Sequence, residues 1–135
     1  ALLVATLCLI VLFMMDYYGS YASYSAQDWD YGWRDALARL QAERTTHPNA
    51  VISGWTSYPD VFIRFYMGLL PNPPGDLPPK GFSFLPFKSD ASHYLERFPR
   101  PAVFLGRPGE LQGLPVLETI RYPDGSPAWN IIEID

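Results

Sequence analysis

A chain of 135 residues is long enough for one domain and too short for two of ordinary size. Apolar residues make up 48% of it, the share of a globular chain, and aromatics make up 16%, which is high. The formal charge is −4, and Arg34, Arg39, Arg44, Arg64, Arg97, Arg100, Arg107 and Arg121 are scattered without a basic stripe. That excludes nucleic acid as an expected partner, because phosphate binding needs clustered Lys and Arg.

Ala1 to Met15 (ALLVATLCLIVLFMM) is apolar apart from Thr6. At about 1.5 Å per residue the run covers roughly 22 Å, short of a hydrocarbon core of about 30 Å. It opens at Ala inside the apolar stretch, so we read it as the end of a longer transmembrane helix. A buried core helix would show a polar face and a signal peptide a basic leading region. The run has neither, although Ser20-Tyr21-Ala22 would serve as a cleavage site. Cys8 is the lone cysteine, so no internal disulfide is possible, and in this run it reads as a small hydrophobe.

Asp16 marks the edge of the run, and Tyr17, Tyr18, Tyr21, Tyr24, Trp29, Tyr31 and Trp33 follow it. Tyr and Trp concentrate at the headgroup level because an apolar ring with a polar tip suits that boundary. Tyr17, Tyr21 and Tyr24 have the spacing of one helical face. A packed aromatic cluster inside the domain is the alternative for some of these rings. No Lys or Arg precedes Arg34, whereas Asp16, Asp28 and Asp30 lie just past the apolar end. Cytoplasmic flanks carry the excess of Lys and Arg, so the soluble part is expected outside the cytoplasm. Residues 1–24 are thus expected to be the end of a transmembrane helix with an interfacial aromatic segment, and 25–135 an extracytoplasmic α/β domain.

The soluble part opens with a predicted helix over about 30–46. Trp33, Ala36, Leu37 and Leu40 form its apolar stripe, Asp28 or Asp30 caps it, and Pro48 ends it. Ala50 to Trp55 reads as a buried strand. Ser57 as cap, Pro59 in the first turn and Asp60 as a capping-box partner predict a second helix running through Val61, Phe62, Phe65, Tyr66, Met67 and Leu70. A Pro/Gly loop covers 72–81. Phe82 to Phe87 is a candidate strand, Ser89 or Asp90 caps a short helix through Phe98, and Ala102 to Leu105 is a third strand. Asp124-Gly125 between two β-rich runs, 114–122 and 128–134, is a hairpin signal. This order predicts a small α/β domain: a three-layer-like mixed sheet with flanking helices and a C-terminal β-hairpin.

Chemistry-bearing residues are sparse. His93 and Glu96 stand three apart, but one such pair is not a metal site, which needs three or four ligands. His47 lies beside Pro48 at a helix end, where it reads as a surface residue suited to the helix dipole. Asp28 and Asp30 read as helix caps rather than as an acid/base pair. Pro71, Pro73 and Pro74 form a minimal proline-rich match that reads as a rigid loop. The chain has no G-x-S-x-G elbow, phosphate loop or dinucleotide glycine fingerprint. No catalytic, cofactor-binding or metal-binding residue is therefore assigned, and no cofactor is expected in this chain.

From Tyr17 to Leu70 a helix end rich in tyrosine leads to DWDYGW (28–33), then Arg34-Asp35-Ala36-Leu37, the strand VISGW, Ser57-Tyr58-Pro59 and the aromatic stretch FIRFYMGLLP, with an Asp-Gly hairpin closing the chain. This layout resembles the C-terminal extracytoplasmic domain of bacterial polytopic membrane glycosyltransferases related to dolichyl-phosphate-mannose protein mannosyltransferases and the lipid A aminoarabinose transferase. The resemblance implies transfer of a sugar from a polyprenyl-phosphate carrier to an extracytoplasmic acceptor. The family's catalytic carboxylates lie in an early loop that this chain does not contain, so it implies no catalytic residue here. Its implied partners are the membrane, the rest of the polytopic transmembrane domain, and a lipid-linked sugar or acceptor. The competing expectations are a membrane-anchored binding or assembly module unrelated to glycosyl transfer, and a small domain released by signal peptidase.

Overall fold

A computed structural model describes residues 2–21, 25–26, 31–56, 58–69 and 78–135. Helix α1, Leu2–Asp16, passes directly into a π-helical turn, Tyr17–Tyr21. The joined helix has 20 residues, a mean hydropathy of 2.0 and no buried share. At about 1.5 Å per residue it reaches roughly 30 Å, so it is long and apolar enough to cross a membrane. The tyrosine turn supplies the length that the apolar run lacks. Phe13 stacks on Tyr17 at 5.7 Å and Tyr17 on Tyr21 at 5.5 Å, one ring above the next. The link to the domain follows at once: Ser25 Oγ donates to the Tyr21 carbonyl at 2.6 Å, and Ala26 already packs in the core.

The domain then runs α2 (Trp33–Glu43), β1 (Asn49–Ile52), α3 (Pro59–Met67), β2 (Phe82–Phe84), a 3₁₀ helix (Ala91–Arg97), β3 (Ala102–Gly106), β4 (Val116–Arg121) and β5 (Pro127–Ile134). The sheet order is β2-β1-β3-β5-β4. β2, β1 and β3 are parallel, while β5 pairs antiparallel with both β3 and β4. The expected mixed sheet, flanking helices and closing strand pair are all present.

Strand alternation sorts the core into two faces. Ala50, Ile52, Val103, Leu105 and Ile131 pack against Trp33, Ala36, Leu37 and Leu40 of α2 and Ile63 of α3. Val51, Ala102, Phe104, Ile132 and Ile134 pack against Ala91, Phe98 and Leu111 on the other side. Topology explains the three layers. The chain steps one way from β1 to β2 and back the other way from β2 to β3. Right-handed crossovers made in opposite directions lie on opposite faces.

Several expectations need correction. Trp33 is a core residue, 2% exposed, stacked on Phe62 at 5.2 Å and tilted against Trp129 at 5.3 Å. For this ring the packed cluster, not the headgroup boundary, is its place. Helix α2 starts at Trp33 behind Gly32, whose φ of 85° suits glycine and whose Cβ would meet Ile120 at 3.0 Å. Helix α3 stops at Met67 because Gly68 turns left-handed, with φ 64°. Asp60 pairs with Arg64 at 2.8 Å, one turn on, and its expected capping-box partner Ser57 lies outside the described residues. Helix α3 also leaves Val61 and Phe65 exposed, so only part of its apolar circumference is used. Asp90 does cap the next element, accepting from Ser92 N at 2.9 Å, but that element is a 3₁₀ helix. The second strand ends at Phe84, before Phe87. The caps assigned to Asp28, Asp30 and Ser57, the rings of Tyr24 and Trp29, Leu70 and the proline run Pro71, Pro73 and Pro74 lie outside the described residues.

Candidate cleft at the carboxyl ends of the parallel strands

The loops that leave β1, β2 and β3 meet at one end of the sheet. Since β2 and β3 flank β1 on opposite sides, the carboxyl ends of β1 and β3 form a topological switch point, where open α/β sheets bind ligands. Two clefts open here. One, of about 420 Å³, is lined by Trp55, Arg107, Pro108, Gly109 and Glu110. The other, of about 430 Å³, is lined by Thr56, Tyr58, Pro59, Phe84, Leu85 and Phe87. The β1 loop contributes to both.

Backbone hydrogen bonds pin this end. Ser53 N donates to the Leu105 carbonyl at 2.9 Å, Leu85 N to Ile52 at 3.0 Å, and Lys88 N to Gly54 at 2.7 Å. A Cβ on Gly54 would stand 2.0 Å from the Pro86 carbonyl oxygen, so only glycine lets the β1 and β2 loops touch. Gly106 is confined in the same way by the Phe104 ring and by Glu110 Oε2, at 2.2 and 2.8 Å from a Cβ.

The polar centre is Glu110. Its Oε1 accepts from Ser53 Oγ at 2.9 Å and its Oε2 from Arg107 N at 2.6 Å, which closes the turn after β3. Burial pushes its carboxyl above the ordinary value, with the charge of Asp90 adding to the rise; both hydrogen bonds and the Arg107 charge oppose it but do not win. Arg107 lies half-buried with its guanidinium 4.9 Å above the Trp129 ring, a cation–π contact. Ser53 Oγ also accepts from Trp55 N at 3.1 Å, so this hydroxyl is engaged on both sides. It has a carboxyl partner but no imidazole base beside it, an arrangement suited to holding a loop and offering a carboxyl and a guanidinium to a ligand. In the neighbouring cleft Thr56 is 4% exposed, and its Oγ1 has no hydrogen-bond partner among the described residues. Tyr58 and Phe87 stand exposed at the mouth.

The residues singled out from sequence lie elsewhere. His93 and Glu96 are exposed on the 3₁₀ helix. His47 is not a surface residue: it is 9% exposed, with Nε2 at 3.1 Å from Glu133 Oε1 on β5. Sequence reasoning missed Ser53, Trp55, Arg107 and Glu110. Arg107 and Glu110 carry a positional signal, following the apolar run Ala102 to Leu105 in a chain read as a part-parallel sheet, whereas Ser53 and Trp55 fall inside the run read as strand up to Trp55, which in the fold ends at Ile52. No family model, no curated protein and no solved structure matches this chain.

Proposed function

We propose that this chain is the membrane-anchored extracytoplasmic domain of a polytopic glycosyltransferase that uses a polyprenyl-phosphate sugar. In this reading the domain binds the acceptor rather than carrying out transfer. One observation carries it: the switch-point cleft, in a chain with a helix able to cross a membrane, joins the half-exposed Trp55 ring to Arg107 and Glu110. An aromatic face suits the apolar face of a sugar ring, and a guanidinium and a carboxyl suit its hydroxyls. The engaged Ser53 hydroxyl agrees with a binding role.

The test uses the full chain in detergent micelles, titrated with a panel of oligosaccharides and lipid-linked sugars while Trp fluorescence is followed. Saturable binding that Trp55→Ala weakens at least tenfold is expected, with no release of polyprenyl phosphate. Absence of binding across the panel would remove the sugar reading, and turnover would remove the non-catalytic one. A second reading, a membrane-anchored assembly module, is favoured by the exposed Val61, Phe65 and Tyr66 of α3. It calls for a protein partner whose capture depends on Phe65 and not on Trp55.

A further inference from the structure

We propose that His47, Glu133 and Asp135 form a Zn²⁺ site at the end of the sheet opposite the cleft. His47 lies two residues before β1, at the end where the antiparallel β5 finishes. Glu133 leaves β5 on the face that α2 covers, and Asp135 follows the strand end, both near the turn after α2 that carries His47. One ligand atom from each of the three lies within 4.8 Å of the others.

Hydrogen bonding around the imidazole supplies the independent argument. Thr46 Oγ1, 3.0 Å from the Glu43 carbonyl, stands 2.9 Å from His47 Nδ1. On the other side of the ring Nε2 faces Glu133 Oε1 at 3.1 Å. In the tautomer that donates Nδ1–H to Thr46 Oγ1, the Nε2 lone pair is aimed at the Glu133 carboxylate, where a cation would be held between them. An imidazole fixed by an acceptor behind it, with its other nitrogen facing carboxylates, is how proteins orient histidine for a metal.

The spacing fits as well. Two ligands about 2.1 Å from a tetrahedral ion stand roughly 3.4 Å apart, close to the separation found. Asp135 is exposed at the strand end, and its carboxylate lies within 4.8 Å of both other ligand atoms, so a small inward movement completes the set. An imidazole nitrogen with two carboxylates selects Zn²⁺ over Mg²⁺ or Ca²⁺, which prefer all-oxygen sites. Three protein ligands leave a fourth position for water or a small anion. Bound there, the ion clips the end of α2 to the end of β5.

The experiment uses the full, tag-free chain in detergent, stripped by chelator and titrated with ZnCl₂ by calorimetry, with Co²⁺ as a spectroscopic probe. One Zn²⁺ per chain is expected, and Co²⁺ should show the intense visible bands of a four-coordinate site. Asp135→Asn, at an exposed side chain that leaves the core untouched, should weaken binding at least tenfold. Thr46→Val, which removes the acceptor behind the ring, should weaken it by roughly 10- to 100-fold. A chain that takes up no Zn²⁺ would show that a proton alone bridges His47 and Glu133. That result, or uptake unchanged in Asp135→Asn and in Glu133→Gln, overturns the proposal.

Discussion

Replacing Gly54 by alanine should separate the β1 and β2 loops and collapse the cleft they frame. The added Cβ would lie 2.0 Å from the Pro86 carbonyl oxygen and 3.0 Å from its carbon, both backbone atoms, and 2.9 Å from Ser89 Oγ. A hydroxyl can rotate away, but a carbonyl moves only with its chain. Relief needs a shift of more than about 1 Å, against overpacking costs of roughly 1–3 kcal/mol. The shift also stretches the Lys88 N to Gly54 O bond, 2.7 Å long, which contributes about 0.5–1.5 kcal/mol. Together these suggest a loss of about 2–4 kcal/mol, a large fraction of a typical domain's stability. At roughly 4 °C per kcal/mol for a domain of this size, Tm should fall by about 8–16 °C in a circular-dichroism melt. Gly68→Ala is the control: its Cβ meets nothing within 4 Å, and only its φ of 64° resists, at about 1–2 kcal/mol. If Gly54→Ala melts within about 2 °C of the parent, the loops are not pinned, and the cleft's shape cannot be attributed to that contact.

Trp33→Ala removes a ring packed between Phe62 and Trp129 and should cost about 3–5 kcal/mol, read as the urea midpoint; a loss below about 1 kcal/mol would return this ring to the membrane boundary. Glu110 has its folded-state pKa raised by burial, so its contribution to stability is full below the unfolded carboxylate value and is lost as pH rises through the folded one. Urea midpoints of the parent should therefore fall relative to Glu110→Gln as pH is raised through and above the carboxylate range, and parallel profiles would refute the shift. A chain starting at Ser25 should remain soluble and unfold cooperatively, because Ala26 is, among the described residues, the first along the chain packed in the core; a molten product would show that the segment before Ser25 is needed for folding. For sidedness, Ser126 is a poor labelling position, since it donates to Asp124 and holds the hairpin turn. Exposed Gln112→Cys, with Cys8→Ser, should react with a membrane-impermeant thiol reagent in intact cells, and labelling only after lysis would reverse the proposed orientation.

The sequence by itself determined those features whose cause is local. The apolar run of α1 sets a helix that could cross a membrane, because every face of it is apolar. The short apolar runs Ala50 to Trp55 and Ala102 to Leu105 read as strands, the first ending at Ile52 in the fold, and Asp124-Gly125 read as a hairpin turn, for the same reason: neighbours along the chain supply the signal. Element ends were less legible. Gly68 and Gly32 stop and start helices through φ values that become necessary only where the chain must turn. Tertiary structure alone decided the sites. Ser53 and Glu110 are 57 positions apart and His47 and Glu133 86 apart, so no spacing in the chain announces either pair. His47 reads as a surface histidine beside a helix end until β5 folds across it, and Trp33, readable from sequence both as an interfacial ring and as part of an apolar helix stripe, takes its place in the core where Phe62 and Trp129 close around it. Both meetings depend on the order in which strands lie side by side in the sheet. That order follows from crossovers between distant segments, which carry no periodicity of their own.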